Sequence, residues 1–359
     1  MSETTPEKPL PLVGATIRHV AAAANVSQTT VSNYLNGRQT RMRPTTRQRI
    51  EVAIRDLGYQ RNMAARQLRT GRAQTIGLIV PSVANPFWGG IVQAVEKQAL
   101  REDRRVLLCN SGRDAVTESA YLNDLWASGV RAVIIATSLP QVEHLIPAVE
   151  RGMRVIMIDR EAQPADPAGL VTISTDNYTG TLLATKHLIE LGHRRIGFIS
   201  GRMATVCRRQ RLRGYRAALN DTGIDYADEL VWVDSDHAGY GDIDGPERGV
   251  EGASALLGLQ DPPTAMVTLN DMYAIGACAA VRRRGLRVPY DVSVVGFDDA
   301  FVATLVDPPL TTIAQPVDRI AKAALRVITS DRVGPDVRFV GPMLPSLIVR
   351  DSTAPPAGL

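Results

Sequence analysis

The sequence predicts an α/β protein with a small three-helix domain at its amino terminus and a two-lobed core of parallel sheets. Three observations support this prediction. Short helical patterns fill residues 15–61, and the basic charge is concentrated at the same end of the chain. From Thr75 onward, short β-branched runs alternate with helix-length amphipathic segments, a rhythm that is typical of βαβ units.

The charge distribution separates the amino-terminal domain from the rest of the chain. Residues 1–72 contain 12 basic and four acidic residues, a net charge of +8, whereas the remaining residues contain 29 basic and 33 acidic residues, a net charge of −4. A basic domain joined to a mildly acidic body predicts that a polyanion is contacted at one end only.

Hydrophobic periodicity predicts three helices within residues 15–61. Thr16 can cap the first helix, Ser27 can cap the second after a tight turn, and Pro44 suits the first turn of the third. The apolar residues of the first helix recur at helical spacing, and they are Ile17, Val20, Ala21 and Ala24. Two helices joined by a tight turn and followed by a third describe a helix-turn-helix.

The residues on the outer face of the second helix indicate contact with DNA. Its outer face carries the amide and hydroxyl side chains of Gln28, Thr29 and Asn33, which can recognise base edges in the major groove. Arginines that flank this helix would neutralise phosphates and set its register. An alternative interpretation is a helical bundle with a solvated basic face, which the charge asymmetry disfavours.

The same residues resemble the LacI/GalR family of bacterial transcription regulators. The resemblance lies in residues 21–36, in Thr46-Arg47-x-Arg49-Ile50 and in Leu57-Gly58-Tyr59. It implies that the positions of Gln28, Thr29 and Asn33 read bases and that Thr30 holds a phosphate. The predicted DNA-contacting residues are Thr16, Ser27, Gln28, Thr29, Thr30, Asn33, Asn36, Arg41, Arg43, Arg47, Asn62, Ala65 and Leu68.

Residues 62–72 resemble the hinge of this family, in which a leucine inserts into the minor groove at the operator centre. Leu68 stands at that position. So short a helix is marginal in water, and we expect it to fold only when it is paired with the hinge of a second protomer against bent DNA. The alternative is a linker with an incidental leucine.

The body after residue 72 is too long for one comfortable doubly wound sheet, so two lobes are expected. Seven runs read as strands, and they are Ile76–Val80, Val106–Cys109, Ala132–Ala136, Val155–Ile158, Ile196–Ile199, Ala265–Leu269 and Val292–Val295. The resemblance implies a core similar to periplasmic sugar-binding proteins, with crossovers between the lobes near 174–178, 312–316 and 340–344.

These expectations define the predicted domain boundaries. Residues 1–14 form a disordered tail, 15–61 the DNA-binding domain, 62–72 the hinge and 73–352 the effector-binding core. Lobe 1 comprises about 73–175 and 315–340, lobe 2 about 176–313 and 341–352, and 353–359 form a second tail.

Polar residues follow the predicted strands at their carboxyl ends, where open parallel sheets bind ligands. Asn85, Asp159-Arg160, Asn270 and Asp298 stand at such positions, whereas Asp271 and Asp299 read as helix caps. The resemblance implies a sugar-binding shell of Asn85, Phe87, Trp88, Asp159, Arg160, Arg211, Asn270, Asp298 and Gln315.

The residue types of this shell favour a neutral sugar or polyol. Aromatic faces can cover the C–H side of a sugar while carboxylates, amides and guanidinium groups bind its hydroxyls. Asp159 and Asp298 are balanced in formal charge by Arg160 and Arg211, which disfavours a phosphorylated ligand. A purine could use the same aromatic pair and stays an alternative.

Other classes of protein find little support in the sequence. It contains neither a GxxxxGK[ST] phosphate loop nor a GxSxG nucleophile elbow, and its five histidines lack metal-ligand spacing. We therefore expect no catalysis, no metal and no cofactor. Three distant cysteines and a polar first segment, without an apolar run of the roughly 18 residues that span a bilayer, favour the cytoplasm over a membrane or secretion.

The sequence thus predicts a ligand-controlled, sequence-specific DNA-binding repressor of carbohydrate metabolism genes. It is expected to act as a homodimer, because a two-fold symmetric protein matches a pseudo-palindromic operator. The alternatives are a nucleobase corepressor or a phosphorylated partner protein acting on the same architecture, and a transport-type sugar-binding protein.

Overall fold

The computed structural model describes residues 15–38, 42–59, 75–234, 244–330 and 339–357. They fall into two compact units, one within residues 1–72 and one within residues 73–359. The predicted tail 1–14 and the predicted hinge 62–72 lie outside the described residues.

The amino-terminal unit contains the three predicted helices. Helix α1 spans Ile17–Ala23, α2 spans Gln28–Leu35 and α3 spans Pro44–Asp56. Asn25, in the turn between α1 and α2, has a left-handed backbone with φ of 52°. The apolar faces of the three helices meet in one small core, whose buried members are Val20, Ala21, Ala24, Val31, Ile50 and Ala53.

Lobe 1 of the second unit is built on a six-stranded parallel sheet. Its strands are β1 (Thr75–Val80), β2 (Arg105–Asn110), β3 (Ala132–Ala136), β4 (Arg154–Ile158), β5 (Val171–Thr175) and β11 (Phe339–Met343). They lie in the order β11-β5-β4-β3-β1-β2. All five pairings are parallel.

Helices cover both faces of the lobe 1 sheet. Helices α4 (Pro86–Arg101) and α11 (Val317–Thr329) pack on one face. Helices α5 (Ala115–Ala127) and α6 (Ile146–Glu150) pack on the other. Because both faces are covered, strands such as β3 are buried along their whole length and read as continuous apolar runs.

Lobe 2 repeats this architecture. Its strands are β6 (Ile196–Ser200), β7 (Val231–Val233), β8 (Ala265–Thr268), β9 (Ser293–Asp298), β10 (Thr311–Ala314) and β12 (Ser346–Ile348), in the order β12-β10-β9-β8-β6-β7. Only β12 pairs in the antiparallel direction, against β10.

The helices of lobe 2 also form a layer on each face of the sheet. Helices α7 (Asn177–Glu190) and α8 (Val206–Asp221) lie on one face, and α9 (Gly245–Leu256) and α10 (Asp271–Arg283) lie on the other. The predicted α/β fold class is confirmed, and every helix of the described chain is too short or too polar to cross a membrane.

The chain passes between the lobes after β5, after β10 and after β11. The first two crossings fall in the predicted windows. The third follows Met343, because β11 still pairs with β5 at Met343, so residues 341–343 belong to lobe 1 and not to lobe 2 as predicted.

The predicted carboxyl-terminal tail, residues 353–359, also begins too early in the sequence. The hydroxyl of Thr353 lies 3.0 Å from the ring of His187, and the carbonyl of Ala354 lies 2.9 Å from the ring of His193. These contacts attach the residues that follow β12 to lobe 2.

Close packing of α9 against α10 gives the first testable prediction. A Cβ atom at Gly276 of α10 would overlap the carbonyl oxygen of Pro246 in α9. We expect Gly276→Ala to destabilise the protein by about 2 kcal/mol, since overpacking costs about 1–3 kcal/mol and exceeds the helix-propensity gain of about 1 kcal/mol. Thermal unfolding measures the change, and an unaltered melting temperature would contradict the packing described.

Candidate functional site

The second helix of the amino-terminal unit is held by its own cap. The Ser27 hydroxyl accepts a hydrogen bond from the Thr30 backbone N–H at 3.1 Å, and the two hydroxyl oxygens lie 2.9 Å apart. Ser27 is exposed and Thr30 is half-buried. Because the first N–H groups of a helix have no intrahelical partner, a capped and exposed amino terminus suits an anion such as phosphate.

The side chains predicted to read bases lie on α2. Gln28 and Thr29 are exposed, and Asn33, one turn later, is half-buried. Asn36 ends the helix, and its amide donates to the Ser32 carbonyl at 2.7 Å. Of the other predicted contacts, Arg43 and Arg47 are exposed at the start of α3 and Thr16 is exposed before α1.

Four predicted DNA contacts lie outside the described residues, and these are Arg41, Asn62, Ala65 and Leu68. One contact that sequence reasoning missed fixes the angle at which α2 is presented. The Tyr34 hydroxyl of α2 donates to the Glu51 carboxylate of α3 at 2.9 Å. Burial, and then this hydrogen bond, raise the pKa of Tyr34.

In the core, a cavity lies where the carboxyl ends of the two sheets face each other. Its volume is about 30 Å³, far below the range of about 300–1,000 Å³ for small-molecule sites, so the lobes lie close together and must separate to admit a ligand. Lobe 1 lines it with Asn85, Phe87, Trp88, Arg113 and Asp159. Lobe 2 and the second crossover line it with Cys207, Arg208, Arg211, Leu269, Asn270, Asp298 and Gln315.

Eight of the nine predicted effector residues therefore meet at this cavity. Two of them, Asn85 and Asn270, also cap the helices that follow β1 and β8. Asn85 Oδ1 accepts from the Phe87 N–H, and Asn270 Oδ1 accepts from the Tyr273 N–H, both at 3.1 Å. Capping fixes the orientation of each amide at the cavity wall.

The structure does not place Arg160 at the cavity. The Asp159 backbone is left-handed, with φ of 70°, and the next side chain turns into lobe 1. The Arg160 guanidinium is fully buried and lies 2.9 Å from Asp166 Oδ1. Arg160 therefore balances the charge of Asp166 and not, as the sequence predicted, that of a cavity carboxylate.

Arg113, which follows β2, takes the place predicted for Arg160. Its Nη2 lies 3.0 Å from Asp159 Oδ2, and its guanidinium lies 5.5 Å from the Trp88 ring. Trp88 and Phe87 pack edge to face with ring centroids 4.8 Å apart. Lobe 1 thus presents an aromatic wall beside a buried ion pair.

Lobe 2 presents a second arginine–carboxylate pair. The Arg211 guanidinium carbon lies over the Phe297 ring, 3.6 Å from its centroid, and Arg211 Nη2 lies 3.9 Å from Asp298 Oδ1. Its Nε donates to Asn177 Oδ1 at 2.8 Å, and its Nη1 donates to the Leu269 carbonyl. Stacking and two fixed hydrogen bonds hold the guanidinium in one orientation.

Gln315, at the second crossover, links the ligand site to the connections between the lobes. Its Nε2 donates to Asp298 Oδ1 at 2.7 Å, and its Oε1 accepts from the Thr175 hydroxyl at 2.6 Å. Thr175 ends β5, immediately before the first crossover. One side chain therefore touches a cavity carboxylate and two crossing segments.

Sequence reasoning missed four lining residues, and these are Arg113, Cys207, Arg208 and Leu269. A signal existed for two of them. Arg113 follows a strand at its carboxyl end, and Arg208 precedes Arg211 by three residues, so both lie on one face of α8. Arg208 Nη1 donates to the Arg202 carbonyl at 2.9 Å.

The two carboxylates predicted to be helix caps have other roles. Asp271 is fully buried beside the cavity and accepts hydrogen bonds from the Ala300 N–H at 2.7 Å and the Thr312 hydroxyl at 2.5 Å. Asp299 forms an ion pair with Arg350 at 2.6 Å. Both fix the segment that follows Asp298, whose φ of 121° is a conformation that L-residues rarely adopt.

The described residues do not form a metal-binding cluster. Within the described ranges, no three or more His, Cys, Asp or Glu side chains come together in a way that could hold an ion. What the cavity offers are hydrogen-bond donors and acceptors held in fixed positions and an aromatic wall, which suit binding of a small polar molecule.

Comparison with known proteins identifies relatives of both units. Residues 16–62 match bacterial regulatory proteins of the lacI family, and residues 185–353 match a periplasmic binding protein-like domain. The HTH-type transcriptional regulator DegA of Bacillus subtilis is 32% identical over 95% of this chain and 98% of its own length. The repressor PurR of Mannheimia succiniciproducens is 32% identical over 94% and 98%.

Two solved structures match nearly the whole chain. The lac repressor dimer bound to operator and the anti-inducer ONPF superposes with a TM-score of 0.78 at 27% identity, covering 95% of this chain and 99% of that one. The complex of the transcriptional regulator CelR with cellobiose superposes with a TM-score of 0.66 at 30% identity, covering 94% and 100%.

The buried Asp271 gives a pH-dependent prediction. Burial, and then the neighbouring Asp298 carboxylate, raise its pKa well above the ordinary value of an aspartate. The folded protein therefore retains a proton that the unfolded chain releases, so this group's contribution to stability falls as the pH rises from about 4 toward the raised pKa.

Asp271→Asn removes this dependence because asparagine cannot ionise. We expect the melting temperature of Asp271→Asn, minus that of the unsubstituted chain, to increase as the pH rises from about 4 to about 7. Thermal unfolding in a series of buffers measures the difference. A difference that stays constant with pH would contradict the protonated state of Asp271.

Proposed function

This chain belongs to the LacI family of bacterial regulatory proteins, and we propose that it is a homodimeric repressor of carbohydrate metabolism genes. A neutral sugar or polyol in the cavity would control its affinity for a pseudo-palindromic operator. The chain is a DNA-binding transcription regulator and not an enzyme. We place it in the cytoplasm, where its DNA target lies.

The DNA-reading role is assigned to α2. Gln28, Thr29 and Asn33 present an amide, a hydroxyl and a second amide along one short helix, and such groups form hydrogen bonds with base edges. The exposed Arg43 and Arg47 would bind phosphates. We also assign phosphate or backbone contacts to Thr16, Ser27, Thr30, Asn36 and Arg41, and minor-groove contacts to Asn62, Ala65 and Leu68.

The observation that carries the ligand assignment is the pairing of charges beside an aromatic wall. Asp159 is paired with Arg113, and Asp298 with Arg211. A third arginine, Arg208, also lines the cavity, and its guanidinium donates to the Arg202 carbonyl at 2.9 Å. With both carboxylates already paired to arginines, the site offers fixed donors and acceptors to a ligand rich in hydroxyl groups, whose C–H face covers Phe87 and Trp88. The CelR structure carries cellobiose, which supports the same class of ligand.

A nucleobase is the second candidate. PurR proteins are among the relatives, and a purine ring could lie against Phe87 and Trp88, whose ring centroids are 4.8 Å apart. The two candidates differ in the number of hydrogen bonds that they donate to the carboxylates. A sugar donates several hydroxyl hydrogen bonds to Asp159 and Asp298, and a purine donates fewer.

A thermal-shift panel of the full chain separates these candidates. We expect a monosaccharide or polyol to raise the melting temperature and hypoxanthine, guanine and nucleosides to leave it unchanged, because ligands that bind the folded state stabilise it by mass action. A shift with nucleobases alone would replace the proposed ligand class. A shift with no compound of either class would contradict small-molecule control.

Asp298→Asn tests the role of the cavity carboxylate for whichever compound the panel identifies. The substitution keeps the shape but removes a charged acceptor, so we expect the ligand dissociation constant to rise at least about tenfold, or about 1.4 kcal/mol. Operator affinity without ligand should stay within about twofold. Asp299→Asn is the matched control, because Asp299 pairs with Arg350 outside the cavity. Equal losses in both variants would contradict the assignment.

Asn33→Ala and Arg47→Ala separate base reading from phosphate binding. On a fragment selected from genomic DNA, we expect Asn33→Ala to weaken specific binding about 10- to 100-fold and to leave binding to random DNA unchanged. Arg47→Ala should weaken both and reduce the salt slope of log affinity by about 0.9. Fluorescence anisotropy at several salt concentrations measures all of these. Identical behaviour of the two variants would argue against the assigned roles.

A further inference from the structure

The two lobes are joined across the cavity by hydrogen bonds at the start of α8. Ser138 follows β3 of lobe 1, and α8 belongs to lobe 2. The Val206 N–H donates to the Ser138 carbonyl at 2.9 Å, and the Cys207 N–H donates to the Ser138 hydroxyl at 3.2 Å. The Ser138 hydroxyl in turn donates to Cys207 Sγ at 2.9 Å.

These contacts supply hydrogen-bond acceptors for backbone N–H groups in the first turn of α8. The first four N–H groups of a helix have no intrahelical acceptor. The Thr205 hydroxyl accepts from the Arg208 N–H, and the Thr205 carbonyl accepts the first intrahelical hydrogen bond, from the Arg209 N–H. Among the described residues, the N–H groups of Val206 and Cys207 find their acceptors in the opposite lobe, at Ser138.

We infer that Ser138 is an inter-lobe helix cap, which forms when the cleft closes and positions α8 for ligand binding. The first turn of α8 leads directly into Arg208 and Arg211, both of which line the cavity. Ser138 itself is fully buried and does not line the cavity, so it acts on the ligand site through α8. This role rests on the proposed function in one respect, namely that the cavity is the effector site.

The cap stabilises the closed arrangement selectively. When the lobes separate, water can hydrogen-bond to the Val206 and Cys207 N–H groups, so the open form loses little. When they close, both groups are buried. Without the Ser138 hydroxyl, the Cys207 N–H is buried without its acceptor, which is costly, whereas the Val206 N–H keeps the Ser138 carbonyl. Removing the Ser138 hydroxyl therefore penalises the closed form and leaves the open form unchanged.

The cysteines of the chain provide a readout that needs no ligand. Cys207 is 5% exposed, lies at the cap and faces the cavity, so a small thiol reagent reaches it when the lobes open. Cys278 is 4% exposed inside the core of lobe 2, and burial raises the pKa of its thiol to about 11. Its labelling reports unfolding of the lobe.

The experiment is iodoacetamide labelling of the full-length protein without ligand, followed by peptide mass spectrometry. We expect Ser138→Ala to accelerate labelling of Cys207 about tenfold, equivalent to about 1.4 kcal/mol, with Cys278 labelled at an unchanged rate. Ser174→Ala is the matched control, because Ser174 is also a fully buried serine of lobe 1, and its hydroxyl makes no hydrogen bond within the described structure.

Two results would overturn the inference. Labelling of Cys207 at the unsubstituted rate would show that the Ser138 hydroxyl does not hold the cleft closed. Parallel acceleration at Cys207 and Cys278 would show that Ser138 only stabilises the fold. Since no effector is added, either failure leaves the proposed sugar response to be judged by its own panel.

Discussion

Burial of charge in the cleft is the constraint on which the rest of the core depends. Two sheets that are covered on both faces by apolar helices bring arginines and carboxylates together at their carboxyl ends. Burying an unpaired charge is costly, so each carboxylate of the cavity must have a partner. Arg113 serves Asp159, and Arg211 serves Asp298. A ligand that enters this network has to replace the hydrogen bonds that already hold these charged groups.

The same constraint explains how occupancy of the cavity could reach the rest of the chain. Gln315 binds the ligand-facing Asp298 and the Thr175 hydroxyl at once, and both residues adjoin segments that cross between the lobes. A ligand can shift such an equilibrium only by its differential affinity for the two arrangements. The hydrogen bonds of Gln315 and the proposed cap at Ser138 are the contacts through which we expect such a difference to act.

The sequence predicts those features that are encoded locally. Strands such as β3 and β4 are almost continuous apolar runs, and α2 carries a clear cap at Ser27. By contrast, β10, β11 and β12 are short or interrupted by polar residues and proline, so their patterns are weak. Their existence depends on pairing with strands far away in the chain.

The site residues also divide into those that local sequence predicts and those that depend on distant parts of the chain. Positions at strand ends, such as Asn85 and Asp298, were predictable because topology alone brings them together. Arg160 was assigned wrongly, because the left-handed backbone at Asp159 that turns it away has no sequence signal. The contact of Ser138 with Cys207 joins residues 69 positions apart and depends on how the two lobes close.

The most direct test of ligand control is a linkage measurement. If the cavity ligand changes operator affinity by some factor, operator binding must change ligand affinity by the same factor. Isothermal titration of the stabilising compound into free protein and into the protein–operator complex gives both ligand dissociation constants. The account predicts that their ratio equals the ratio of operator dissociation constants with and without ligand, and that it differs from one. Equal ligand affinities in the two titrations would contradict it.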